Sequence, residues 1–406
     1  DDTTTFRNLP IRDSGDPGQG PHEAGLAVRS SFFAPPFEGI DISGSVGPGI
    51  SSTSGGAMQG FDWTLHNNTK QGLLINRATV VVNDLNLYDN IQSGAHVLDS
   101  RYVHFENVTA INNGGDASTN ALAKNQAGLY YEESNDLESE SGDVRCRNCV
   151  VSGSTGSGIF AENSVDLWLE NISLSNNSVT APALLIDNQD TMPSGATGRV
   201  NILNAVINTE SPSQPAAQFL RTAAHIDGMS FSGNHTGLDW NGDNNGNFAS
   251  SISNSAFSGT ACLKLIDHPS LGGQGNTISA SCTGYVQLTN SQVNWSGLSD
   301  VSGATVIQLD SASDLHLHQP SNIDLNSASI LGSATVDVAW DLTVWVVNNF
   351  TNGIPSASVD TTFSNFEPTV QEYTNDLGYV FLPDFIGQRW TSTGPSSSNS
   401  VTIQCA

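Results

Sequence analysis

The sequence predicts an all-β chain, a right-handed parallel β-helix of about a dozen coils followed by a small β-sandwich. Three observations carry this. The segments 94–113 and 158–177 superpose with a shift of 64, Glu106-Asn107 falling on Glu170-Asn171. An Asn, Asp or Gly recurs along the chain at the same point of each unit. Apolar residues fall in short alternating runs broken by Gly and Asn, and no longer stretch keeps a helical period.

In the two superposed segments the alternating residues Val103, Phe105, Val108 and Ala110 fall on Leu167, Leu169, Ile172 and Leu174. Each unit reads as three short strands with a sharp corner at the Asn, a residue that tolerates the left-handed conformation. The corner recurs at Asp62, Asp84, Asn107, Asn148, Asn171, Asn204, Gly228, Asn254 and Asn322, most intervals being 22 to 26 residues. A constant period means stacked coils, each burying its apolar edge on the next. Side chains of Asn107, Asn148, Asn171, Asn204, Asn254 and Asn322 are expected to point inward and hydrogen-bond along the axis as a structural ladder.

Residues 39–333, on this coil period and Asn corner, resemble the pectate-lyase-like right-handed β-helix superfamily. The resemblance implies the fold alone, because no catalytic motif of that superfamily accompanies it. From residue 335 the period breaks. Gly353, Pro355 and Val359, followed by Thr374, Asp376 and Gly378, match a G-x-P-x-x-x-V strand and a T-x-D-x-G hairpin, so residues 335–406 resemble the carboxypeptidase-regulatory-like β-sandwich, an Ig-like accessory module of secreted proteins. Residues 1–38, with five prolines, read as an extended arm without a core of its own. It can cap the first coil, lie along the rod or dock on a neighbour.

Forty acidic against thirteen basic residues give a net charge of −27, which argues against nucleic-acid binding. No apolar run is long enough for a membrane span. The chain opens at Asp1 with few cysteines, and secretion or display on a cell surface is the economical reading.

The chemistry is expected on the outward face of one sheet. Aligning the first strand of each coil puts Leu98, Glu132, Glu162 and Asp187 in one outward column, with Arg221 at or next to the following rung. Like charges about 4.8 Å apart repel and call for a cation or a shared proton. The column therefore reads as a Ca²⁺ site, as a catalytic set for glycan cleavage, or as plain acidic surface. Tyr130 and Phe160 beside it are candidates for stacking on sugar rings. Insertions at 114–127, 134–142 and 190–198 would wall a groove, and Lys124 is the only lysine near it.

Asp314, His316 and His318 share a strand face at a spacing that can hold Zn²⁺, but without a fourth ligand they read as exposed strand residues. The seven N-x-[ST] sequons are about what chance gives in a chain so rich in Asn, Ser and Thr. Cys146 and Cys149 take the inward positions of Phe105 and Val108 around Asn148 and can be bridged. Cys262 and Cys282 are about one coil apart and several positions out of stack, and Cys405 is left over. Two function classes remain. The first, favoured on the missing catalytic signature and the proline-punctuated arm, is a structural or adhesive subunit of an extracellular assembly, self-associating or joined to other surface proteins. The second is a secreted polysaccharide lyase or glycoside hydrolase acting beside Glu132, Glu162 and Asp187.

Overall fold

A computed structural model describes the chain except residues 1–5, 15–22, 30–35, 101, 116–122, 133–143, 165, 189–199, 243–249, 302, 304, 349, 366–368, 397–399 and 406. The chain winds as a parallel β-solenoid of about twelve turns. One face is a sheet of thirteen short strands, from Leu26–Arg29 to Ser329–Ile330. In the earlier turns the rest is a longer strand bent in the middle, as in Thr79–Tyr88, Tyr102–Ile111, Val144–Ser152 and Leu167–Ser175, and from Ala224 on it is divided into short strands such as Ala224–Asp227 and Ser230–Asn234. The helical elements among the described residues are the turn Ala123–Gln126 and the 3₁₀ turn Leu325–Ser327.

The bend follows from the corner residue. Val103 and Phe105 point inward by strand alternation, Asn107 takes φ 55°, and this left-handed step resets the alternation so that Val108 and Ala110 also point inward. Val103, Val144 and Leu167 stack in register, as do Phe105, Cys146 and Leu169. Each such buried aliphatic side chain stabilises the rod by roughly 1.5–3 kcal/mol. A row of glycines serves the opposite side of the coil. A Cβ on Gly72 would lie 2.8 Å from the carbonyl oxygen of Gly94, and one on Gly94 2.7 Å from that of Gly128, so the coils stack there only because side chains are missing.

The Asn ladder differs from the expectation in two respects. Asn148 donates to Asn107, Asn171 to Asn148 and Asn204 to Asn171, at 3.0 to 3.1 Å, but these side chains are exposed and the ladder runs along the outside. Glu106 and Asn107 stand between the inward Phe105 and Val108, and the left-handed step leaves both of them outside. Second, strand register carries the corner from Asn254 through Gly275 and Gly297 to Gln319, not to Asn322, which lies three residues further on. A different ladder is buried. Asn68 donates to Asn90 and Asn90 to Asn113, both at 2.9 Å, while Asn90 and Asn113 also donate to the carbonyls of Leu65 and Leu87.

The described part of the N-terminal segment is not a free arm. Phe6–Arg7 and Pro10–Arg12 pair in parallel with Pro36–Ser43, Asn8 occupies a left-handed corner over Gly39, and Leu26–Arg29 pairs with Ile50–Thr53. Of the three placements open to this segment it takes the first, lying on the coil that follows it, with Leu9, Ile11, Leu26 and Val28 packed on the core.

At the other end Thr335–Trp345 pairs in parallel with Asp314–His318 and then antiparallel with Tyr379–Thr391. A small antiparallel sheet of Val370–Tyr373, Ser358–Phe363 and Val401–Cys405 follows. Val359 of that sheet packs with Val380 and Leu382 in a second small core against Leu342 and Val344. The hairpin residues hold the connection: Thr374 donates to the carbonyl of Ile354 and accepts from the amide of Ala357, and Gly378 is left-handed against Gly353.

Candidate functional site

The short strands put two side chains of every four on the outside. In Leu129–Glu132 these are Tyr130 and Glu132, with Leu129 and Tyr131 buried below. Register then stacks Leu98, Glu132, Glu162 and Asp187 on successive rungs, followed by Leu220. Arg221 falls one residue past the column on a left-handed corner, φ 47°, and does not form its next rung. The second outward column, two residues earlier, runs His96, Tyr130, Phe160, Leu185.

Tyr130 and Phe160 are not free for sugar stacking. They are 0% and 8% exposed and form with Ala127 and Leu185 an apolar cluster on the outer side of the sheet. Rings at equivalent positions of successive coils pile on one another: His96 and Tyr130 lie 4.7 Å apart between centroids, Tyr130 and Phe160 5.1 Å. Their polar atoms face the carboxylates. The Tyr130 hydroxyl donates to Glu162, and His96 Nε2 lies 2.9 Å from Glu132. Burial, reinforced by the hydrogen bond to Glu162, pushes the Tyr130 hydroxyl far above its ordinary pKa, so it remains a donor.

His96 is the member that sequence reasoning missed. The signal was present, because Leu98 was already assigned to the rung before Glu132, and the residue two earlier must share its face. Beyond His96 and Leu98 the sheet opens into a concavity of about 610 Å³, lined also by Ser51, Asn76, Lys70 and Arg29. Lys70, one of three lysines in the chain, is held by Glu23 at 2.5 Å. The expected walls at 134–142 and 190–198, and half of 114–127, lie outside the described residues, as does the Lys124 side chain.

The histidine pair on Asp314–His318 is divided between different partners. His316 reaches Asp384 and His318 reaches Asp341, both at 2.8 Å, while Asp314 accepts from Thr335. These contacts fasten the terminal strands to the last coil. Among the described residues no group of three or more His, Cys, Asp or Glu is arranged to hold a metal ion. Disulfides join Cys146 to Cys149 across the corner and Cys262 to Cys282 between neighbouring coils, and Cys405 is exposed as a thiol. The second bond was hard to place because the register shifts between Phe257 and Gly259, which brings Gly259 opposite Cys282.

Residues 25–197 match a family model described as a right handed beta helix region. The match takes in the carboxylate column and the concavity. No curated protein and no solved structure matches the chain.

Proposed function

We propose that the chain is an exported glycoside hydrolase working on the outer face of its short-strand sheet, with Glu162 as nucleophile and Glu132 as proton donor. One observation carries the reading: Glu132 and Glu162 stand on adjacent rungs in register, each held by a different partner, His96 and Tyr130. A rung spacing of about 4.8 Å is close to the separation of roughly 5–5.5 Å used by retaining glycosidases. In that chemistry Glu162 bonds to the anomeric carbon as Glu132 protonates the departing oxygen. Water activated by Glu132 then hydrolyses the ester. The 610 Å³ concavity beside His96 and Leu98 gives an extended glycan a place to lie. The lyase alternative is weaker because it needs an Arg or Lys side chain placed to abstract a proton, and Arg221 stands off the column.

The two disulfides support export. The helix is proposed as pectate-lyase-like in its general plan. The terminal strands are proposed as a carboxypeptidase-regulatory-like module, a reading supported by Thr374 and Gly378 closing on the segment around Gly353. A structural or adhesive role stands second. It keeps the missing catalytic signature in its favour but loses the free connector arm, since the described part of that segment is paired into the rod. Incubation with a panel of soluble polysaccharides tests the reading. Release of reducing ends by the wild type, lost in Glu162→Gln with unchanged unfolding, is expected. Unsaturated products would assign a lyase, and no cleavage of any glycan would leave the structural role.

A further inference from the structure

Twenty large apolar side chains are well exposed among the described residues, and ten of them lie from Trp340 onward. They are not spread at random there. The ladder between Thr335–Trp345 and Tyr379–Thr391 turns Leu342, Val344, Val380 and Leu382 toward the small terminal core. By alternation its other face carries Thr343, Trp345, Tyr379 and Phe381. Trp345 and Tyr379 are direct cross-strand partners, their rings 5.5 Å apart and parallel within 11°. Phe381 follows on the same side of its strand, opposite Thr343. Trp345, Tyr379 and Phe381 are 48%, 38% and 58% exposed, and Trp345 Nε1 donates to the carbonyl of Leu377, which fixes the indole.

An exposed aromatic row of this kind is unfavourable in water and marks a contact surface. Its charge surroundings select the partner. Residues 335–388 contain no Lys or Arg in a chain of net charge −27, so the face cannot hold nucleic acid, an acidic glycan or an anionic lipid. It is aromatic, not aliphatic, and flat aromatic rings match the C–H faces of equatorially linked pyranoses, whose hydroxyls can meet Thr343 at the edge. We propose that this face is a binding surface for a flat, uncharged polysaccharide of the cellulose or chitin type. It lies apart from the carboxylate column and holds its ligand without cleaving it.

The test is depletion of the full-length protein by insoluble cellulose and chitin, with Trp345→Ala/Tyr379→Ala and Phe381→Ala as variants and Glu162→Gln as a control. The wild type and Glu162→Gln should bind one of the solids equally, and the double variant should lose at least tenfold in partitioning. A soluble oligosaccharide of the same linkage should change the tryptophan fluorescence of the wild type, which gives a readout if the double variant fails to fold. Binding to neither solid, binding indifferent to the variants, or concentration-dependent self-association that the double variant abolishes would each overturn the proposal, the last by assigning the face to a second copy. Because Glu162→Gln removes only cleavage, failure here and failure of the hydrolase reading are told apart.

Discussion

The hydroxyl of Tyr130 donates to Glu162, one rung along the rod, at 2.5 Å, from a ring that is wholly buried. The tyrosine therefore positions a carboxylate while its own ring serves as packing. Tyr130→Phe keeps the packing and removes the donor. The expected outcome is a fall of at least tenfold in kcat for glycan cleavage, with KM little changed and a stability loss of about 1 kcal/mol in urea titrations. A drop in melting temperature without any change in kcat would make the hydrogen bond purely structural.

Calcium is the other means of keeping three carboxylates on neighbouring rungs. His96 and Tyr130 already supply contacts to Glu132 and Glu162, so activity should survive exhaustive chelation. If calcium instead raises the melting temperature of the wild type but not of Glu162→Gln, the column is a cation site and the roles assigned to the carboxylates change.

The reach of sequence reasoning is clearest at the corners. The period and the alternation through Asn107 were legible because a left-handed residue between Phe105 and Val108 leaves both inward. Burial of the corner amide itself was not legible, since alternation says nothing about which way a residue off the strand points. The acid column was legible for the same reason as the core, one register serving both faces. The covering of Tyr130 and Phe160 was not, because packing such as that from Ala127 comes from an insertion outside the repeat.

The two ladders should respond differently to mutation. Asn90 is fully buried, accepts from Asn68, and donates to Asn113 and to the carbonyl of Leu65. Asn90→Leu leaves several buried groups without partners and should cost about 3 kcal/mol or more. Asn171 is exposed, and Asn171→Gly suits its φ of 54°, so that change should cost under about 1 kcal/mol. Urea titration of the two variants measures both, and equal losses would contradict the assignment of the buried ladder.

Deleting residues 1–30 should damage the rod. Phe6 stacks on Phe37 at 5.1 Å, and the strands Pro36–Ser43 and Ile50–Thr53 would lose their partners on that side. Open strand edges invite association. The truncated protein should melt several degrees lower and scatter light at concentrations where the full chain stays clear. A truncated rod that remains monomeric with an unchanged melting temperature would show the first coil to be dispensable.

Acid should destabilise the rod through His268. This ring is 1% exposed, and burial lowers its pKa to about 4 against an ordinary value near 6.5, although the carbonyl of Trp240 accepts a hydrogen bond from it. The unfolded chain takes up a proton below about pH 6.5, and the folded chain does so only near pH 4. Between those values the unfolded state binds more protons, so stability falls as pH falls, by up to about 3 kcal/mol from this group, and the loss levels off below pH 4. Burial depresses His235 in the same direction. Urea titrations of the wild type and His268→Asn at pH 7 and pH 4.5 isolate the effect, since the many carboxylates contribute alike to both. The variant should be weaker at pH 7 yet lose less stability on acidification, and equal losses in the two proteins would place the acid sensitivity elsewhere.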